Sequence, residues 1–423
     1  MRLDRELSAR RELVAITVVA CLVGCDGPGT PEQGSQWRGE TLVEGSRTSV
    51  TTLSGTVWKA PQLLVEEASI GVREGEDPYM LGTPTSVAAG FGIIVVADSQ
   101  VPVVRIYDWN GRHIGDAGRE GEGPGEYQRP ASVGLLPDER IVVRDDRRYA
   151  IHIYRRDGTY LDTWASRHYV WSPQELAVTS AGHVYTPAVR VNGGGSRSGM
   201  QRVDSTGQVG DLSVPPDFGS PPVRAISRGA TGGGIMTPDE FPQTYWTMDV
   251  HGSFVAGVSD AYRFEIHGRN GGITAVARAD WEPVPISVEE QDAIRARITT
   301  WARRRQEDWT WNLPPLPSHK PAYRGLVPSR TGDIWVLRPG PSARISDCED
   351  DSSTSVWTSP CWKESLSYDV FASDGRFLGN VPAPPGLAPR QARPYVDGDT
   401  FVAITEDAAG TYYVKRFRLR PAR

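Results

Sequence analysis

From residue 84 onward the apolar positions fall in short runs rich in valine, isoleucine and tyrosine, separated by glycine, proline, asparagine and aspartate. That pattern predicts strands joined by tight turns rather than helices. The runs repeat. Laying 74–84 (EGEDPYMLGTP) over 120–130 (EGEGPGEYQRP) aligns Glu74 with Glu120, Gly75 with Gly121, Pro78 with Pro124 and Pro84 with Pro130, a separation of 46. Further on, Val95-Val96-Ala97-Asp98 lies over Val142-Val143-Arg144-Asp145 and Ile106-Tyr107 over Ile153-Tyr154, each 47 apart. One turn in each unit carries Asn110-Gly111, Asp157-Gly158, Thr206-Gly207, Asn270-Gly271 or Asp374-Gly375, between runs that need a left-handed backbone to reverse. A second turn carries Gly90, Gly182, Gly252, Gly332 or Gly398, with Pro137-Asp138 in the second unit. Two turns per unit make a four-stranded meander with strands A to D.

Meanders repeating with a period in the forties are the signature of propeller blades. Five units have both turns, and the sixth has Gly398 and strands near 400–404 and 412–419 but no fourth strand. The β-prone run 56–66 (TVWKAPQLLVE) is expected to supply it, closing the ring and removing an open edge. The gap from Gly271 to Gly375 holds one set of strands beside a helical insert, so the count is six. The fold expected is therefore an all-β, six-bladed propeller over 56–423.

GEGPGEY at 121–127, V-x-D at 96–98 and 143–145, and Ile-Tyr-x-x-x-Gly at 106–111 and 153–158 resemble the six-bladed β-propeller lipoproteins of bacteria, related in fold to NHL-type and TolB-type propellers. The third to fifth units lack the GPGE loop. The resemblance implies a fold and brings no catalytic residues with it.

The long connections have a pattern of their own. Residues 119–130, 211–242 and 281–320 join strand D to the next strand A, and 192–200 and 341–362 join B to C, so all five are expected on one face. Loops on a rigid scaffold are where binding resides. Candidate binding residues on that face are Glu122, Glu126, Tyr127, Trp309, Trp311 and His319. Within 281–320, Ser287-Val288-Glu289-Glu290 is a capping box, and Ile294, Ile298 and Trp301 form an apolar stripe, so a helix is expected to pack on the propeller with Arg303, Arg304 and Arg305 solvated. Trp309 and Trp311 could stack on a sugar or grip a peptide, or simply cover a core edge.

Residues 1–12 carry four arginines and 13–24 (LVAITVVACLVG) are an apolar run too short to span a bilayer, as in a secretory signal. Leu22-Val23-Gly24-Cys25 resembles the lipobox of bacterial lipoproteins, which implies acylation of Cys25 and attachment to a membrane on its extracytoplasmic side. Asp26 leaves inner and outer membrane open. Residues 25–55, rich in Gly, Ser and Thr, are expected to be a flexible tether. Cys348 and Cys361 remain as a pair, read as a disulfide in an oxidising compartment rather than half a metal site, since no second ligand pair exists to complete one.

Lys+Arg 46 against Asp+Glu 52 gives a net charge of −6, with only four lysines and no basic stripe, so a nucleic-acid partner is not expected. The seven histidines show no HxH or HExxH spacing, and no GxSxG or phosphate-loop pattern occurs. No catalytic residue and no cofactor follow from the sequence, and a channel calcium or zinc stays open. Asp98 and Asp145, repeated at equivalent positions, are expected to cap backbone amides. Two functions remain: a membrane-tethered binding or scaffold propeller, expected as a monomer, that meets a protein, peptide or saccharide on its loop face; or a propeller hydrolase or lyase with a metal in its channel. Of the acids expected on the inner strands, Glu175 and Asp249 stand out, with no histidine beside them.

Overall fold

The computed structural model describes residues 36–165, 175–192, 195–204, 208–220, 222–229, 232–345 and 361–422. The expected signal segment, Cys25, the expected turn at Thr206-Gly207 and Cys348 lie outside these residues. Strands A to D, hydrogen-bonded in that order, form six blades. Blade 1 consists of Pro84–Gly90, Ile93–Asp98, Val103–Asp108 and His113–Ala117, and blade 2 of Pro130–Leu135, Ile141–Asp145, Ala150–Tyr154 and Tyr160–Ala165. Blade 3 takes Ala177–Val178, Val184–Asn192, Gly195–Val203 and Val209–Ser213, and blade 4 takes Thr244–Met248, Phe254–Val258, Arg263–His267 and Ile273–Arg278. Gly325–Pro328, Ile334–Arg344, Trp362–Phe371 and Phe377–Pro382 make blade 5, and Tyr395–Asp397, Thr400–Glu406, Tyr412–Pro421 and Gln62–Ile70 make blade 6. The protein is a six-bladed β-propeller.

The repeat is held by its aspartates. Asp98 Oδ1 accepts from Thr83 N (2.9 Å) and Gln100 N (3.0 Å), and its Oδ2 accepts from Gly82 N (2.7 Å). Asp145 does the same with Gln128 N (2.7 Å), Arg129 N (3.2 Å) and Arg147 N (2.9 Å). Each buried carboxylate thus ties the segment leading into strand A to the turn after strand B, as the equivalent positions predicted. Strand B of blade 1 is buried along its whole length because its two faces meet the two neighbouring blades. Ile93, Val95 and Ala97 pack with Val133, Leu135 and Val143 of blade 2, while Ile94 and Val96 pack with Val402 and Ile404 of blade 6. Near-continuous apolar runs, not alternation, are the consequence.

The ring is closed by the N-terminal segment, a few residues later than expected. Gln62–Ile70, rather than 56–66, pairs antiparallel with Tyr412–Pro421 as strand D of blade 6. Residues before it run past blade 5, where Val57 N and Trp58 N donate to Phe377 O (3.1 Å) and Leu378 O (2.9 Å). Trp58 covers Gly379, where a Cβ would come within 2.7 Å of the indole, so glycine is needed there. The expected tether is corrected in its second half. Arg38–Glu44 and Arg47–Ser54 form a hairpin about Gly45 (φ 59°), and its second strand pairs in parallel with Ile273–Arg278, widening blade 4 to six strands. Threonine and valine at alternate positions suit a pleated surface, and Val50 and Thr52 are buried against blade 4 while the outer strand is exposed. Overall composition hid that alternation.

Two expected loops also become strand. The blade 3 hairpin continues to Asn192 and resumes at Gly195, and the blade 5 hairpin extends through Arg344 and Trp362. Both extensions, with the D–A connections 119–129, 214–243 and 279–324, project from one face because B–C and D–A connections share an edge of every meander. The capping box is half realised in α1 (Val288–Arg303): Ser287 Oγ accepts from Glu290 N (3.1 Å), while the Glu290 side chain goes elsewhere. Ile294, Ile298 and Trp301 are buried as the stripe predicted, but against Ala225, Met236 and Trp309 of other loop-face segments rather than against a blade, and Arg303, Arg304 and Arg305 are exposed.

Candidate functional site

A cavity of about 730 Å³ opens on the loop face, within the ~300–1,000 Å³ range of small-ligand clefts. Four stretches build it: the D–A connection before blade 4 (Asp239, Glu240), α1 with the segment after it, the raised hairpin of blade 5, and the connection 383–390 into blade 6. Glu290, Ile294 and Arg297 fall at i, i+4 and i+7, so one face of α1 forms a wall.

Lys320 organises the opposite side, its side chain only 2% exposed. Its Nζ donates to Gly340 O (2.9 Å), Ser342 Oγ (2.6 Å) and Glu364 Oε1 (2.7 Å), with Glu290 Oε1 at 3.3 Å. A register shift between Pro339 and Ser342 interrupts the ladder around Gly340, whose carbonyl is one of those acceptors. Glu364 also binds Arg324, Arg297 pairs with Glu240 (2.7 Å), and Arg390 pairs with Asp239. Ser342 Oγ donates in turn to Glu290 Oε1 (2.7 Å), which explains why that carboxylate leaves the helix cap. The buried pairs Lys320–Glu364 and Arg297–Glu240 are fixed in place, since removing one partner of a buried pair costs ~3–5 kcal/mol, whereas Arg390–Asp239 is more exposed. Tyr245 and Trp362, both half-buried, and Pro384, Pro385 and Leu387 supply the apolar lining. Burial pushes the Tyr245 hydroxyl up to about 12, so it stays protonated and able to donate.

The channel is a separate space of about 200 Å³, lined by strand A of the blades. Glu175 Oε1 accepts from Arg393 N (2.7 Å) and its Oε2 from Ser86 Oγ (2.9 Å), while the Arg393 guanidinium reaches Thr247 Oγ1. Asp249 Oδ1 accepts from His251 N and Ser253 N, both at 2.8 Å, closing its own A–B turn. Both acids singled out from the sequence are therefore engaged by protein donors. Among the described residues, no group of three His, Cys, Asp or Glu side chains is gathered in a way that could hold a metal.

None of the six expected binding residues lines the cavity. Tyr127 is fully buried in the core between blades 1 and 2, its ring edge-on to His152, because the chain turns inward after Gly125. Glu126 folds the same loop, accepting from Gly123 N (2.8 Å) and Arg119 Nε (2.9 Å), and these donors lower its pKa. Glu122 is exposed and accepts from Gln128 Nε2 (2.9 Å). Trp309 is 2% exposed, its Nε1 donating to Ile226 O (2.9 Å) under α1. Trp311, half-buried, lies edge-on to it beneath Arg295 and packs against the same core. His319 is exposed beside Ser318. Its neighbour Lys320, one of only four lysines, was the available signal: a rare amine flanked by proline on a loop. Cys361 is buried, and its expected partner Cys348 lies outside the described residues.

No model of a known protein family matches the chain, and no curated protein matches it. Among solved structures it is similar to a member of the DUF4221 family from Bacteroides vulgatus (13% identity, 86% of this chain and 99% of that one, TM-score 0.48). A candidate exported protein from Bacteroides fragilis (11%, 86% and 96%, 0.45) and virginiamycin B lyase from Staphylococcus aureus (11%, 82% and 98%, 0.39) are similar at lower scores. Its own sheet order, A to D six times over with the last strand D drawn from the N-terminal side, identifies the chain as a six-bladed β-propeller.

Proposed function

We propose that this is an extracytoplasmic binding propeller, held to a membrane through Cys25, whose loop-face cavity receives a peptide, a protein segment or a saccharide. The observation that carries the reading is the cavity itself: four separate excursions converge on it, and their charged side chains are locked to one another before any ligand arrives. Preorganised walls favour recognition. The alternative, chemistry at a channel metal, has less support, because Glu175 and Asp249 already serve the fold.

Two measurements test this. Replacing Cys25 by Ser should move the chain from the membrane to the soluble fraction, and unchanged fractionation refutes the anchor. Thermal-shift screening of the purified full chain against peptide and saccharide libraries should give ligands that stabilise it, by about 2.7 kcal/mol at a hundredfold excess over Kd. Ser365→Trp, placed at an exposed position of the lining, should abolish that shift. Ligands that bind the variant equally well refute the site.

A further inference from the structure

Resting on that reading, we infer that the cavity is built for a neutral saccharide. The argument starts from its charges. Four carboxylates (Asp239, Glu240, Glu290, Glu364) face four cations (Arg297, Lys320, Arg324, Arg390), each in an ion pair with another group of the wall. The remaining lining charge, Lys363, is exposed. A charged ligand that drew one member of the buried Lys320–Glu364 or Arg297–Glu240 pair to itself would leave that member's partner uncompensated in a partly dry site. A neutral ligand leaves the pairs intact.

The lining then selects among neutral ligands. Carboxylates accept and guanidinium groups donate, and Glu240 Oε2 and Arg324 Nε are buried with no hydrogen-bond partner among the described residues. A hydroxyl both donates and accepts, so vicinal hydroxyls match such alternating groups without moving charge. Tyr245 adds a protonated phenol, and Tyr245 and Trp362 with Pro384 and Pro385 offer flat apolar surface to the C–H faces of a pyranose. A peptide taken up by strand addition would instead lie along a sheet edge and be held by main-chain bonds. The charged and phenolic groups of this lining are side chains.

The test uses the purified full chain, titrated by calorimetry and tryptophan fluorescence with short neutral gluco-, manno-, xylo- and chito-oligosaccharides, with their uronic-acid counterparts, and with a displayed peptide library. At least one neutral oligosaccharide is expected to bind, tenfold or more tighter than its uronic-acid counterpart. Trp362→Ala should weaken it about tenfold or more, as should Ser365→Trp, which keeps the test open should the first variant fold poorly. Arg376→Ala, in the C–D turn on the opposite face, should bind as the wild type does. Cavity-dependent binding of peptides or uronic acids with no response to neutral sugars overturns the saccharide assignment and leaves the binding site standing. Absence of cavity-dependent binding by every probe overturns both.

Discussion

His152 shows how one side chain ties pH to stability. It is 1% exposed, its Nδ1 sits 3.0 Å from Thr163 Oγ1, its Nε2 has no partner among the described residues, and Tyr127 lies edge-on to its ring. Burial pulls its pKa from the ordinary 6.5 to about 4. The unfolded chain therefore binds a proton between pH 6.5 and 4 that the folded chain does not, so stability is full above that window and falls as pH drops through it, by roughly 3 kcal/mol. Denaturant titrations at pH 7 and pH 4 should show this slope in the wild type and a reduced one in His152→Asn; identical slopes refute the assignment. Asp98 and Asp145 were legible at this scale because a repeated polar residue at strand ends has few other uses. Tyr127 was not, since nothing local says whether a tyrosine after a glycine-rich turn points in or out.

At the scale of elements, the two N-terminal pieces carry different loads. Gln62–Ile70 is a full strand of blade 6, and its loss would expose the edge of Tyr412–Pro421 together with the core around Ile70. The hairpin 38–54 only widens a blade that already has four strands. Deleting 62–70 is expected to abolish cooperative unfolding, whereas deleting 36–54 should leave a folded propeller with a lowered Tm. Circular dichroism melts of the two variants check this, and equal effects would overturn the distinction. The turns were readable: Gly111, Gly158, Gly271 and Gly375 all take φ between 84° and 88° where the sequence placed the C–D reversals. The raised hairpins of blades 3 and 5 were not, because glycine, serine and charge in 192–200 and 341–362 read as loop, and cross-strand pairing overrode that composition.

For the whole molecule, the expected disulfide is the remaining covalent question. Of the expected pair, Cys361 directly precedes Trp362 and lies three residues before Glu364, both in the cavity wall. A link over about a dozen residues is worth ~2–3 kcal/mol in the chain-entropy model. Thiol titration of the unfolded, unreduced chain should find neither cysteine free, and reduction should lower Tm by several degrees; free thiols would refute the pairing.

The number of blades, the position of the turns, the source of the closing strand and the face that bears the excursions were all determined by the sequence alone, since each depends on local periodicity repeated along the chain. The cavity was decided only by tertiary structure. Glu240, Glu290, Lys320, Glu364 and Arg390 span some 150 residues and belong to four different excursions, and no local pattern ties them together. Their meeting depends on the curvature of the ring and on how far the blade 5 hairpin rises, quantities set by packing between blades rather than by any one stretch of chain.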